Sequence, residues 1–145
     1  MLLRRVPDRI DLLKKVPLFS GLSRRDLTLI VRETESVRVD EGKLLARQGG
    51  LGREFIIIVD GSARVERDGK IIARLGPGDF FGEMSLIDKK PQSARVITEI
   101  PTHLLVMDTS SFRRLLDTVP GLQRKILITL CERLRAADAA LGSRN

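Results

Sequence analysis

Leu75-Gly-Pro-Gly-Asp-Phe-Phe-Gly-Glu-Met-Ser-Leu-Ile-Asp-Lys-Lys-Pro-Gln-Ser-Ala-Arg-Val96 is the stretch on which the rest of the chain depends. It opens as a Gly-Pro-Gly turn, passes the Phe80-Phe81 pair and reaches Gly82-Glu83. A short apolar run follows, then a basic turn and Pro91, before the chain extends again at Ala94. Gly82 has no Cβ, so the backbone there can come close to a bound group. The amides of residues 83–86 are placed to open one helical turn, where free N–H groups and the positive end of the dipole attract an anion. Glu83 adds a negative charge at that point. A carboxylate beside a row of amides suits a sugar-phosphate, with Glu83 accepting from a ribose hydroxyl and the amides facing the phosphate. The same residues also read as a capped structural turn.

Outward from this stretch the period of the apolar residues is two. Val37 and Val39 alternate with Ser36 and Arg38, and Asp40-Glu41-Gly42 turns the chain. Strands are expected at 44–46, 55–59, 63–67, 70–75, 94–100 and 102–108. Asp60-Gly61 and Asp68-Gly69 both read as hairpin turns. Gln48-Gly-Gly-Leu-Gly52 is a Gly-rich loop, but no Lys-Ser/Thr follows it as in a triphosphate-binding loop. Short strands divided by Gly turns indicate a barrel or jelly-roll sandwich.

Helices stand at both ends. Residues 8–16 form a short amphipathic helix that Pro17 stops, and Ser23-Arg-Arg-Asp26 has the spacing of a capping box for a second helix from Arg24. Ser110 or Ser111 caps a helix through Leu116. Pro120 opens a last helix to about Leu141 with an apolar stripe of Leu122, Ile126, Leu127, Leu130, Leu134, Ala137 and Leu141. That stripe is wide enough to serve both the roll and a second copy of the chain. Cys131, on this helix, is expected in the core, and a lone cysteine forms no internal disulfide.

The composition excludes several classes. A hydrophobic share of 42% with 31% charged residues fits a soluble globular chain, and no apolar run reaches membrane-spanning length. No signal peptide is evident, so a cytoplasmic location is expected. The net charge of +7 reads mainly as Arg and Lys solvating helix faces, because without Trp or Tyr there is no stacking platform for single-stranded nucleic acid. His103 is the only histidine. A metal-dependent roll needs two or three, so no metal site, no cofactor and no catalytic set is expected, and the chain does not read as an enzyme.

The 75–96 stretch resembles the phosphate-binding cassette of the cyclic nucleotide-binding domain family, which includes catabolite activator-type regulators, protein kinase A regulatory subunits and cyclic-nucleotide-gated channels. The resemblance rests on Gly78, Asp79, Phe81-Gly-Glu-Met-Ser-Leu86 and Ala94-x-Val96, and extends from Val16-Pro-Leu-Phe19 to the last helix. It implies a mainly β fold with flanking α: an eight-stranded β-roll or jelly roll at 34–108, with N-terminal helices at 1–33 and C-terminal helices at 109–145, in one domain of 1–145. It also implies a ligand site made of Phe81, Gly82, Glu83, Met84, Ser85, Gln92, Ser93, Ala94 and Arg95. Arg133 or Arg135 of the last helix would cap a bound base by cation–π stacking. The family's N-terminal helix pair packs on the roll and moves when ligand binds.

One position departs from the family. Two residues before Ala94 an Arg normally pairs with the cyclic phosphate, and here Gln92 stands in its place. Losing a charge-assisted pair costs roughly 1.5–3 kcal/mol, about 10- to 150-fold in affinity. Arg95 is no simple substitute, since an odd separation along a strand puts it on the opposite face from Gln92. Two functions remain open. One is a stand-alone regulatory module that binds a cyclic nucleotide, cAMP ahead of cGMP, and couples it to movement of the C-terminal helix. The other is a degenerate domain that binds a protein partner or forms a homodimer through that helix. No direct DNA-binding domain is expected.

Overall fold

The computed structural model describes residues 6–82 and 87–142. Two antiparallel four-stranded sheets form the roll. Strands β1 (Glu35–Val39), β8 (Thr102–Asp108), β3 (Glu54–Asp60) and β6 (Phe80–Phe81) make the first, in the order β1-β8-β3-β6. Strands β2 (Leu44–Ala46), β7 (Arg95–Thr98), β4 (Ala63–Arg67) and β5 (Lys70–Leu75) make the second, in the order β2-β7-β4-β5.

The continuous apolar run of β3 has a physical reason. Successive side chains point to opposite faces of a sheet, and here both faces are covered. Ile56 and Ile58 point into the roll, with Ala46, Ala63, Val96 and Leu104. Phe55 and Ile57 point the other way, into a larger core closed by the helices. That core takes Leu13, Phe19 and Ile30 from the N-terminal side and Phe112, Leu115, Leu122 and Ile126 from the C-terminal side. His103 is buried in β8, with Nε2 2.6 Å from the Ser36 hydroxyl, which gives it a structural place.

The helices are α1 (Val6–Lys14), α2 (Arg24–Glu33), α3 (Thr109–Thr118) and α4 (Pro120–Gly142), with a 3-10 turn at Pro17–Phe19. Ser23 caps α2 as its spacing predicts, accepting from the Asp26 amide at 3.1 Å. Asp68-Gly69 makes the expected β4–β5 hairpin, and both residues have positive φ, as the tight turn requires.

Four expectations are corrected. Asp60-Gly61 is not a hairpin: β3 pairs with β6 and β8, whereas β4 pairs with β5 and β7. Gly61, at φ 108°, lies against Thr102, and the Ser62 carbonyl accepts from the Glu99 amide, so the chain turns a corner between sheets. The cap of α3 is Asp108, which accepts from the Ser111 amide at 2.7 Å, not Ser110 or Ser111 themselves. This bond, followed by the Ser111 hydroxyl, holds the Asp108 carboxyl below the ordinary carboxylate range. Strand β7 stops at Thr98 rather than Ile100, because residues 99 and 100 bend toward β8. Cys131 is exposed, because it stands off the helix face of Leu122, Ile126, Leu130 and Arg133 that meets the rest of the protein.

Candidate functional site

The turn that opens the 75–96 stretch is closed by its own side chain. Asp79 Oδ2 accepts from the Gly76 amide at 2.8 Å, and the Asp79 amide returns to the Gly76 carbonyl at 3.0 Å. Two further bonds, from Gly78 N to Ile58 O and from Ile58 N to Asp79 O, tie the turn to β3. Gly78, at φ 90°, packs against the ring of Pro17. Then Phe80 and Phe81 pair with Ile57 and Ile56. Phe80 faces the helical core and Phe81 the interior of the roll.

At its far end the stretch is tied to the Gly-rich loop. The Gln92 amide donates to Gly50 O at 2.8 Å, the Gly49 amide donates to Gln92 O at 2.8 Å, and Leu51 bridges to Pro91. Lys89 sits at φ 61°, an uncommon conformation for a residue with a side chain. A cleft of about 410 Å³ opens where loop and cassette meet. Leu45, Ala46, Leu51 and Ile56 make its apolar surface, and Arg47, Arg53, Glu54 and Gln92 bring polar groups to it. Its size is within the range of small-molecule sites, about 300–1,000 Å³.

Among the candidate residues, Gln92 lines this cleft. Gly82 has φ 98°, and a Cβ there would overlap the Glu54 carbonyl, so the first partner that demands glycine is β3 itself. Ala94 is buried, Phe81 is half-buried, and Ser93 is exposed with its carbonyl accepting from Arg67 Nε at 3.0 Å. Arg95 does not line the cleft. Its Nε donates to Glu66 at 2.8 Å on the outer face of the second sheet. The Arg64 hydrogen bond, and behind it the Arg95 charge, hold the Glu66 carboxyl below the ordinary range against partial burial. Glu83, Met84 and Ser85 lie outside the described residues.

On α4, Arg133 lies 4.5 Å over the Phe80 ring and donates Nη2 to the Phe80 carbonyl at 2.8 Å. Its cation–π partner is thus a side chain of the cassette. Arg135 is exposed two residues further on. The same helix is held at its start by Lys125, which donates to the carbonyl and hydroxyl of Ser20 beside the 3-10 turn. The cassette therefore touches both helical ends, Pro17 through Gly78 and Arg133 through Phe80.

Arg47, Arg53 and Glu54 escaped the sequence reading, because register and loop path bring them to Gln92 from far away in the chain. The available signal was a cation on either side of the Gly-rich loop. Among the described residues no group of His, Cys, Asp and Glu could hold a metal ion, and no helix is long and apolar enough to cross a membrane.

A paired roll, a cassette closed on β3 and a cleft at its tail together define a two-sheet β-roll flanked by helices. Residues 36–119 match the model of the cyclic nucleotide-binding domain, and the chain belongs to that family. It is 34% identical over 115 residues to a cAMP-dependent protein kinase regulatory subunit of Schizosaccharomyces pombe, covering 79% of this chain and 28% of that protein. It is 31% identical over 134 residues to the cyclic AMP receptor protein of Thermus thermophilus, covering 89% and 62%. The crystal structure of the Thermus thermophilus catabolite activator protein superposes with a TM-score of 0.79 at 32% identity, covering 87% of this chain and 62% of that one. The chain thus spans less than two thirds of each of these relatives. They are regulatory or receptor proteins.

Proposed function

We propose that this chain is a regulatory module that binds a 3′,5′-cyclic nucleotide, cAMP in preference to cGMP, in the cleft beside Gln92. The observation that carries the reading is the joint between Gln92 and the Gly49–Gly50 loop, which sets the tail of the cassette against a cleft of about 410 Å³ with both apolar and charged lining. The base would lie on apolar surface and the phosphate toward Gln92, Ser93 and the amides after Gly82. The similarity to a cAMP-dependent kinase regulatory subunit and to a cyclic AMP receptor protein supports cAMP as the ligand. The proposed setting is cytoplasmic.

Signal output would pass through the two contacts of the cassette with the helices. A ligand that favours one placement of Phe80 shifts the population of docked α4, because Arg133 is bonded to Phe80. Thermal melting with cAMP, cGMP and AMP tests the binding step. A cyclic nucleotide at 100 times its dissociation constant should add about 2.7 kcal/mol of stability, and AMP should add none. Gln92→Arg should exchange a neutral hydrogen bond for an ionic one, a gain of roughly 1 kcal/mol or about fivefold in affinity. No shift in either protein with any cyclic nucleotide would sink the reading.

A second reading is favoured by α4. Leu127, Leu134 and Leu141 are 57%, 64% and 60% exposed and repeat every seven residues, with Leu130 and Ala137 between them in heptad spacing. This seam fits a homodimer through α4, or a helix of an unidentified protein partner. Sedimentation of the wild type should give a dimer, and Leu134→Glu should give a monomer with an unchanged melting temperature in its roll. A wild type that sediments as a monomer at high micromolar concentration would remove the homodimer.

A further inference from the structure

A cyclic phosphodiester entering the cleft brings one negative charge, and a charge removed from water needs a partner. Gln92 offers none. The cations nearby can be sorted by what already holds them. Arg95 and Arg64 share the Glu66 carboxylate. Arg67 donates to the Ser93 carbonyl, and Arg133 to the Phe80 carbonyl.

Arg47 and Arg53 differ from these. Both line the cleft together with Gln92, and among the described residues neither guanidinium has a hydrogen bond or an ion pair. They stand at the two ends of the Gly-rich loop, Arg47 just after β2 and Arg53 just before β3. The bonds between that loop and Gln92 hold the span between them against the cassette. On its other side Arg53 borders a hollow of about 190 Å³ lined by Lys89, Lys90 and Arg113. Those like charges raise the positive potential at Arg53, and among the described residues Glu54 is the one acid lining either opening.

We propose that Arg47 and Arg53 form a phosphate clamp, moved from the cassette to the two ends of the 48–52 loop, which supplies the charge that Gln92 lacks. This rests on the cyclic nucleotide reading of the cleft. The planar fork of each guanidinium suits an exocyclic phosphate oxygen. Both side chains are exposed, so the attraction is screened by salt and each is worth less than a buried pair.

The test is calorimetric titration with cAMP and, in parallel, with an uncharged cyclic phosphotriester of adenosine. The proteins are wild type, the double variant Arg47→Gln/Arg53→Gln, the double Lys variant at the same positions, and Gln92→Arg. The Gln double variant should lose about 10- to 100-fold in affinity for cAMP and nothing for the triester. Its affinity should also fall less steeply with salt than that of wild type, and the Lys variant should recover part of the loss. If wild type binds cAMP and the Gln double variant binds it equally well, the clamp is wrong and the cleft reading stands. Binding by Gln92→Arg alone also overturns the clamp while leaving the pocket. Binding by none of the proteins overturns the cyclic nucleotide reading, and the clamp with it.

Discussion

Phe55→Ala should destabilise the protein by about 3–5 kcal/mol, the range for removing a buried aromatic ring from a core. Phe55 is fully buried on β3, which lies between β8 and β6. Its ring is 4.7 Å from that of Phe112, stacked, and 5.3 Å from that of Phe80, tilted. It therefore joins the sheet, the cassette and α3 at one point, and each aromatic pair adds about 0.5–1.5 kcal/mol beyond area burial. Total stability of a domain is only about 5–15 kcal/mol, so the loss is a large fraction of it. Urea denaturation should show a lower midpoint with an unchanged slope. The remaining protein should also hold α4 less firmly, since Phe80 is the seat of Arg133. A loss below about 1.5 kcal/mol would mean that the cavity collapses without cost and that Phe55 is not the joint described.

Gly82→Ala should cost about 3 kcal/mol in the absence of any ligand, and lower the melting temperature by roughly 10 °C. Two effects add. At φ 98° a side chain is strained, by about 1–2 kcal/mol for a Cβ in left-handed backbone. The new Cβ would also overlap the Glu54 carbonyl, which is rigid backbone of β3, so β6 must separate from β3 to admit it. Gly69 is a suitable control, because its φ is 78° but nothing lies within 4 Å of a Cβ there. Gly69→Asn should be far milder, since Asn tolerates this conformation. Melting of Gly82→Ala within a degree or two of wild type would show that β6 yields, and would return Gly82 to a role in approaching the ligand alone.

The elements that sequence made legible are those decided by neighbours in the chain. Ser23 caps α2 through a residue three positions away. Asp68-Gly69 turns because both residues accept positive φ. The apolar run of β3 announces burial on both faces, and the repeat on α4 announces a helix with more apolar surface than the roll covers. The 75–96 stretch, with its spacing of Gly, Phe and Ala, was enough to bring the family into view. Gln92 was legible too, as a neutral residue at a position where charge is the rule.

Tertiary structure decided what depends on distant partners. Asp60-Gly61 resembles Asp68-Gly69 as a dipeptide, yet Thr102 packs on Gly61 and Glu99 bonds the next residue, Ser62, so the chain turns a corner there. Phe80-Phe81 becomes a strand only because β3 offers an edge. Arg95 looked close to the pocket, but the face it occupies belongs to Glu66. Arg133 found its ring in the cassette, and Cys131 lost its core because it stands off the face of α4 that carries Leu122, Ile126, Leu130 and Arg133 inward. Arg47 and Arg53 reached the cleft because loop hydrogen bonds fold the 48–52 segment onto Gln92. Local sequence sets backbone preference and the period of burial, whereas the partner of a charge is set by which surfaces the sheets bring together.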